Sequence, residues 1–198
     1  MSSQQPIGAI SLMNNHLWWN LTRASANIAM ILILLTVLWG ILLATRVLKP
    51  NDRPAWIRDL HTWLGGLAVS FSVIHILTLI ADSYVHFTFV SVLVPFTSSW
   101  RPFQVSLGIL AFYILVAVQA SSLMMKMISK TAWHRIHMAS YAQFPLVILH
   151  ALTSGSDVGK NWYAGFTMSV AMVGAAIIGL RIVAGKASTR RTSSATSK

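Results

Sequence analysis

The stretch Leu60-His-Thr-Trp-Leu-Gly-Gly-Leu-Ala-Val-Ser-Phe-Ser-Val-Ile-His-Ile-Leu-Thr-Leu-Ile80 decides the fold. It is an apolar run of about 20 residues, the length that crosses a hydrocarbon core of roughly 30 Å as a helix. It nevertheless contains His61 and His75, in a setting where ionisable groups are costly. Four other segments share its length and apolar character: Ala26 to Thr45, Phe103 to Met125, Trp133 to Leu152 and Trp162 to Leu180. The expected fold is therefore all-α, a polytopic membrane bundle of five transmembrane helices. In the last span Ala171, Ala175 and Gly179 recur every four residues, which predicts a close-packing face.

Composition agrees. Of 198 residues, 55% are hydrophobic and 10% charged, against about 25% charged in soluble domains. The 15 Lys and Arg face 4 acidic residues, for a net charge of +11. With mean hydropathy at +0.64 there is too little polar surface to use that charge on a nucleic acid, so the lipid bilayer is the expected partner. There is no cysteine, which excludes disulfides, thiolate metal sites, iron–sulfur clusters and c-type haem. The acidic residues are Asp52, Asp59, Asp82 and Asp157, with no Glu, too few and too scattered for paired-carboxylate catalysis or carboxylate metal cages. Histidine, present seven times, is the reactive side chain that remains.

The chain divides into three parts. Residues 1–25 read as an outer N-terminal interfacial segment, with Trp18 and Trp19 at its end and no basic region or cleavage site of a signal peptide. Residues 26–185 hold the five-helix domain. Residues 186–198, rich in Ser, Thr and Arg, read as a basic, disordered cytoplasmic tail. The apolar loop Ser83 to Phe103 is expected to lie in the interface and cap one end of the bundle.

Lys and Arg give the orientation. One side holds Arg23, Arg101 and Lys160. The other holds Arg46, Lys49, Arg53, Arg58, Lys126, Lys130, Arg135, Arg181, Lys186, Arg190, Arg191 and Lys198. The N-terminus is thus expected outside and the C-terminus in the cytoplasm. Spans two and four then both run outward.

That direction sorts the histidines. His61 and His75 are 14 residues apart, and His137 and His150 are 13 apart. The first of each pair falls at the cytoplasmic end, and the second lies roughly 20 Å further out at 1.5 Å per residue. Two cross-helix pairs result, His61 with His137 and His75 with His150. Structural histidines would need no matching depth. Neutral imidazole is a strong axial ligand of haem iron, so the matched pairs predict two b-type haems, inner and outer, with these four residues as the ligands. Fourteen steps return to within about 40° of the same helix face, but thirteen miss by about 140°. Span four must therefore be irregular, and Pro145 is the expected cause.

Other residues carry less. His134 is the rival for the inner ligand, while His16 and His86 fall outside the spans. Gly65 and Gly66 would let a flat macrocycle approach the backbone, and ordinary helix packing explains them nearly as well. Arg58 and Arg135 near the inner pair, and Arg23 and Arg101 near the outer pair, are placed to meet haem propionates. Lipid-headgroup and topogenic roles account for each of them equally well.

These residues also resemble a known family. Arg58-Asp-Leu-His61-Thr-Trp-Leu-Gly-Gly66 with Val73-Ile-His75, and Trp133-His-Arg-Ile-His137 with Leu149-His150, resemble the ferric reductase-like transmembrane domain. That family includes the membrane parts of NADPH oxidases and the haem subunit of bacterial methionine sulfoxide reductase. Trp18-Trp-Asn-Leu-Thr-Arg23, Val94-Pro-Phe96 and Leu149-His-Ala-Leu-Thr-Ser-Gly-Ser-Asp157 look most like its small actinobacterial-type members. The resemblance covers about Trp19 to Trp162. It implies the same four ligands and places the chain in a bacterial cytoplasmic membrane. Against the larger members, the first, peripheral span is expected to be missing or reduced to the interfacial segment, and the stretch after Leu180 is expected to be too short for a flavin or nicotinamide domain.

The function expected is that of a membrane-embedded diheme b-type cytochrome. It would carry single electrons between a cytoplasmic donor, a flavoprotein or quinol, and an outer acceptor. Its partners would be a separate redox protein or membrane complex, with quinone among the small-molecule candidates. Two rivals stand beside this: an accessory subunit of a larger respiratory or photosynthetic complex, and a structural protein whose histidines bond helices together.

Overall fold

The computed structural model describes residues 6–45, 53–83, 85–155 and 157–196, with the side chains at 6–16, 54 and 184–196 outside the described set. Arg46 and Lys49, His16 as a side chain, and the basic side chains from Lys186 onward therefore lie outside the described residues. Among the described residues there is helix and no strand. The helices are α1 (Pro6–Thr45), α2 (Pro54–Ala81), α3 (Phe89–Leu93), α4 (Pro102–Leu123), α5 (Lys130–Met138), α6 (Ser140–Ser154) and α7 (Asn161–Thr196).

Four segments are long and apolar enough to cross a membrane: Leu17–Thr45, Ala55–Ala81, Pro102–Leu123 and Asn161–Val183. Proline opens two of them, at Pro54 and Pro102, where its missing N–H costs nothing and its fixed φ suits the first turn. At 40 residues α1 extends for about 60 Å, well beyond a bilayer core. The segment expected to lie apart before the first span is instead the first turns of this same helix. At the other end α7 continues to Thr196, past the expected start of an irregular tail at Lys186.

The expected fourth span is broken. The Ala139 N–H bonds to Ile136 O at 3.0 Å, and Ala139 O accepts from the N–H groups of Ala142 and Gln143 at 3.0 and 3.1 Å. This tightened turn divides α5 from α6. Pro145 lies inside α6, six residues after the break. The irregularity required between His137 and His150 is present, but it sits at Ala139 and not at the proline. The carbonyl that the proline ring meets, that of Tyr141, lies within α6, after the break. With 15 residues, α6 extends only about 22 Å.

Packing follows two antiparallel pairs. α1 lies along α2, α4 lies along α5 and α6, α2 touches α4, and α7 closes against α1 and α6. Thr22, Ser25, Ala29, Met30 and Ile33 are buried on α1, a helical stripe at three- and four-residue spacing. The core joins Met30, Ile33, Ala68, Leu115, Phe144, Ile148 and Val170. On α7 the close approach is at Gly174, where a Cβ would overlap the Phe144 ring, while a Cβ on Gly179 would meet nothing. Of the small-residue face expected at Ala171, Ala175 and Gly179, Ala171 packs against the core while Ala175 is exposed.

The loop between α2 and α4 caps one end of the bundle. α3 is closed by a capping box, with Ser91 N–H on Thr88 Oγ1 at 3.2 Å and Thr88 N–H on Ser91 Oγ at 2.8 Å. Phe96 N–H donates to Ser106 Oγ at 2.7 Å, and the Tyr113 hydroxyl donates to Leu93 O. Phe89, Val90, Phe96 and Phe103 face outward, as befits a segment at the depth where two spans end.

Gly174→Val should lower stability by about 1–3 kcal/mol through overpacking against Phe144, read as a lower unfolding temperature in detergent. Gly179→Val should leave that temperature unchanged.

Candidate functional site

α2 carries His61 and His75, α5 carries His137 and α6 carries His150. His61 and His137 meet with ring centroids 6.0 Å apart and planes tilted by 59°. His75 and His150 share the wall of one cavity of about 890 Å³. The structure therefore brings together both pairs the sequence suggested, at two levels of the bundle. His134 is exposed and is not the partner of His61. His86 is exposed in the capping loop with φ 54°, away from both pairs.

Each ring has its Nδ1 engaged. His61 Nδ1 lies 3.0 Å from Thr36 O, His75 Nδ1 3.1 Å from Thr22 O, and His150 Nδ1 2.9 Å from Gln104 O. His137 Nδ1 lies 3.4 Å from Ser122 Oγ. A carbonyl can only accept, so in the first three Nδ1 carries the proton and Nε2 keeps its lone pair. This is the arrangement by which an acceptor behind an imidazole fixes the tautomer and presents the other nitrogen to a metal. Thr22 and Thr36 are 14 residues apart on α1, the spacing of His75 and His61 on antiparallel α2. One helix register supplies both acceptors.

Glycines make room for two of the rings. A Cβ on Gly40 of α1 would lie 3.0 Å from His61 Cε1, and one on Gly108 of α4 would lie 2.7 Å from His150 Cε1 and Nδ1. Gly65, expected beside a macrocycle, instead faces Gln119, whose Oε1 would be 2.5 Å from an added Cβ. Gly66 looks toward the same amide. Sequence reasoning missed Gly40 and Gly108, and neither lies near a histidine in the chain.

The cavity around His75 and His150 is mostly apolar, with Trp19, Trp100 and Leu79 among its walls. Thr22 and Gln143 also line it, and Thr22 Oγ1 and Gln143 Nε2 are buried without a hydrogen-bond partner among the described residues. At its rim Arg23 Nε lies 2.5 Å from Asp157 Oδ2, and Lys160 Nζ lies 2.7 Å from Asp157 Oδ1. Asp157 is almost fully buried, with a side chain 5% exposed, so two cations hold one carboxylate and leave one net positive charge. Asp157 was not singled out from the sequence. Its spacing of three from Lys160 was the available signal.

The other three arginines do not line that cavity. Arg101 donates to Thr153 O at 2.5 Å and lies over the Trp100 ring at 4.8 Å. The side chain of Arg58 is 66% exposed and 4.0 Å from that of Asp59. Arg135 is exposed on α5. Among the described residues no three His or Asp side chains converge on a point that could hold a bare metal ion.

No family model, curated protein or solved structure matches the chain.

Asp157→Asn should cost roughly 2–4 kcal/mol, because breaking a buried pair leaves charge uncompensated and Arg23 is only partly screened. Denaturant unfolding followed by tryptophan fluorescence checks this. Asp59→Asn, at an exposed pair, should change stability by less than about 0.5 kcal/mol.

Proposed function

We propose that the chain is a membrane diheme b-type cytochrome that moves single electrons across a bacterial cytoplasmic membrane. The observation that carries this reading is the repeated geometry: two cross-helix histidine pairs, with an acceptor behind Nδ1 of every ring. A helix-bonding histidine needs one partner only. Nothing in such a role calls for a second imidazole opposite, or for a cavity of about 890 Å³ beside the pair.

His61 and His137 would hold the inner haem, and His75 and His150 the outer. A bound haem supplies a reversible one-electron couple. The remaining work belongs to the chain. Thr36 O, Thr22 O and Gln104 O hold three ligands in the tautomer that leaves Nε2 free to coordinate. Gly40 and Gly108 let the His61 and His150 rings sit against neighbouring helices. Arg23 and Lys160, sharing Asp157, present one net positive charge to an anionic edge of the outer ligand. Ala68 lies seven residues from both His61 and His75, in the apolar core layer with Met30, Leu115 and Phe144. That layer keeps water out of the space between the levels.

In this reading α5 and α6 together make the fourth of five crossings, with the break at Ala139 between the ligands. The N-terminus is outside, in accord with the Lys and Arg distribution. The resemblance to ferric reductase-like domains favours flow from a cytoplasmic flavoprotein or quinol to an outer acceptor. A structural role, in which the carbonyl bonds of His61, His75 and His150 merely tie helices together, is the second reading, favoured by those same bonds.

His75→Ala or His150→Ala should remove one haem and keep the other in a reduced-minus-oxidised spectrum, and His61→Ala or His137→Ala should remove the complementary one. Gly108→Leu should reproduce the loss seen with His150→Ala. Spectra unchanged by all of these substitutions would leave the structural reading. Orientation is checked in the naturally cysteine-free chain. Val158→Cys should react with an impermeant maleimide from outside the cell, and Met127→Cys only after the cytoplasmic side is opened.

A further inference from the structure

The four imidazoles are not backed alike. His61, His75 and His150 each face a peptide carbonyl between 2.9 and 3.1 Å away, and His150 also has Ser154 Oγ at 3.1 Å. His137 has no carbonyl behind it among the described residues. Its Nδ1 neighbour is Ser122 Oγ, at 3.4 Å. The Ser122 hydroxyl donates its own proton to Val118 O at 2.8 Å, so toward His137 the oxygen acts as acceptor. The same oxygen accepts from Trp133 Nε1–H at 3.4 Å. The Trp133 ring is stacked on His137, centroids 5.1 Å apart and planes within 28°. One hydroxyl therefore serves the ligand ring and the indole that covers it.

An acceptor behind a ligating imidazole raises its basicity and its donation to the metal, and such outer contacts tune a haem's potential. A hydroxyl oxygen shared between two donors at 3.4 Å is a weaker acceptor than a carbonyl at 3.0 Å. We infer that Ser122, with Trp133, is a positioning residue that sets the electron donation of His137 and so the potential of the inner site alone. This rests on the diheme reading and adds to it the control of one site independently of the other. The reason lies in the fold. The break at Ala139 takes His137 off α6, whose packing on α4 gives His150 the carbonyl of Gln104. His137 rides instead on α5, an element with no fully buried residue, and only side chains from its own helix and α4 hold it.

Potentiometry with optical detection on the purified haem-loaded protein tests the inference. Ser122→Ala removes the acceptor behind His137, and the inner midpoint should move upward while the outer midpoint stays. Ser122→Thr restores a hydroxyl and should return the inner midpoint to the wild-type value. Trp133→Phe keeps an aromatic cover but removes the competing N–H, so the Ser122–His137 bond strengthens and the inner midpoint should move downward. This second variant keeps the test open should Ser122→Ala fail to fold. Two haems with unshifted midpoints in these variants, or equal shifts of both, would overturn the inference and leave the diheme reading standing. Wild-type protein without haem would defeat the reading itself, and the inference with it.

Discussion

A neutral imidazole among apolar helices must place its ring N–H on an acceptor, and the helix backbone offers few that are free to accept again. Much of the bundle's register follows from that constraint. α1 meets it for α2 twice, through Thr22 O and Thr36 O, which fixes how far the two helices slide along each other. α4 meets it for α6 through Gln104 O. Once the proton is committed there, Nε2 of each of these three rings is left with its lone pair. An unmet N–H at that depth would cost on the order of 1–3 kcal/mol, so the pairing geometry and the stability of the bundle are coupled.

The same register explains what lies between the levels. Ala68 is midway between His61 and His75, and Leu115 is midway between Gly108 and Ser122. These residues, with Met30, Ile33 and Phe144, make the dry core. A bundle built only for stability would have no need to keep two polar levels apart by one apolar layer. In the diheme reading that layer confines charge movement to the two sites.

Much of this was legible in the sequence, because spacing along a helix translates directly into depth. The apolar lengths marked the helices, and the 14- and 13-residue separations placed the histidine pairs and demanded a break in the second one. What was not legible depended on contacts distant in the chain. The break fell at Ala139, six residues before the proline, and nothing local marks that alanine. Gly40 and Gly108 make room for rings on other helices, so their neighbours in sequence say nothing of it, whereas Gly65 and Gly66 drew attention by sitting beside His61 and turned out to face Gln119. Thr22 and Thr36 could have been found, since they repeat the histidine spacing on the preceding helix.

The most direct test of the account is the haem content of the purified chain, measured as pyridine haemochrome against protein concentration. The account predicts two b haems per chain. A chain that folds in the membrane and carries none would contradict it.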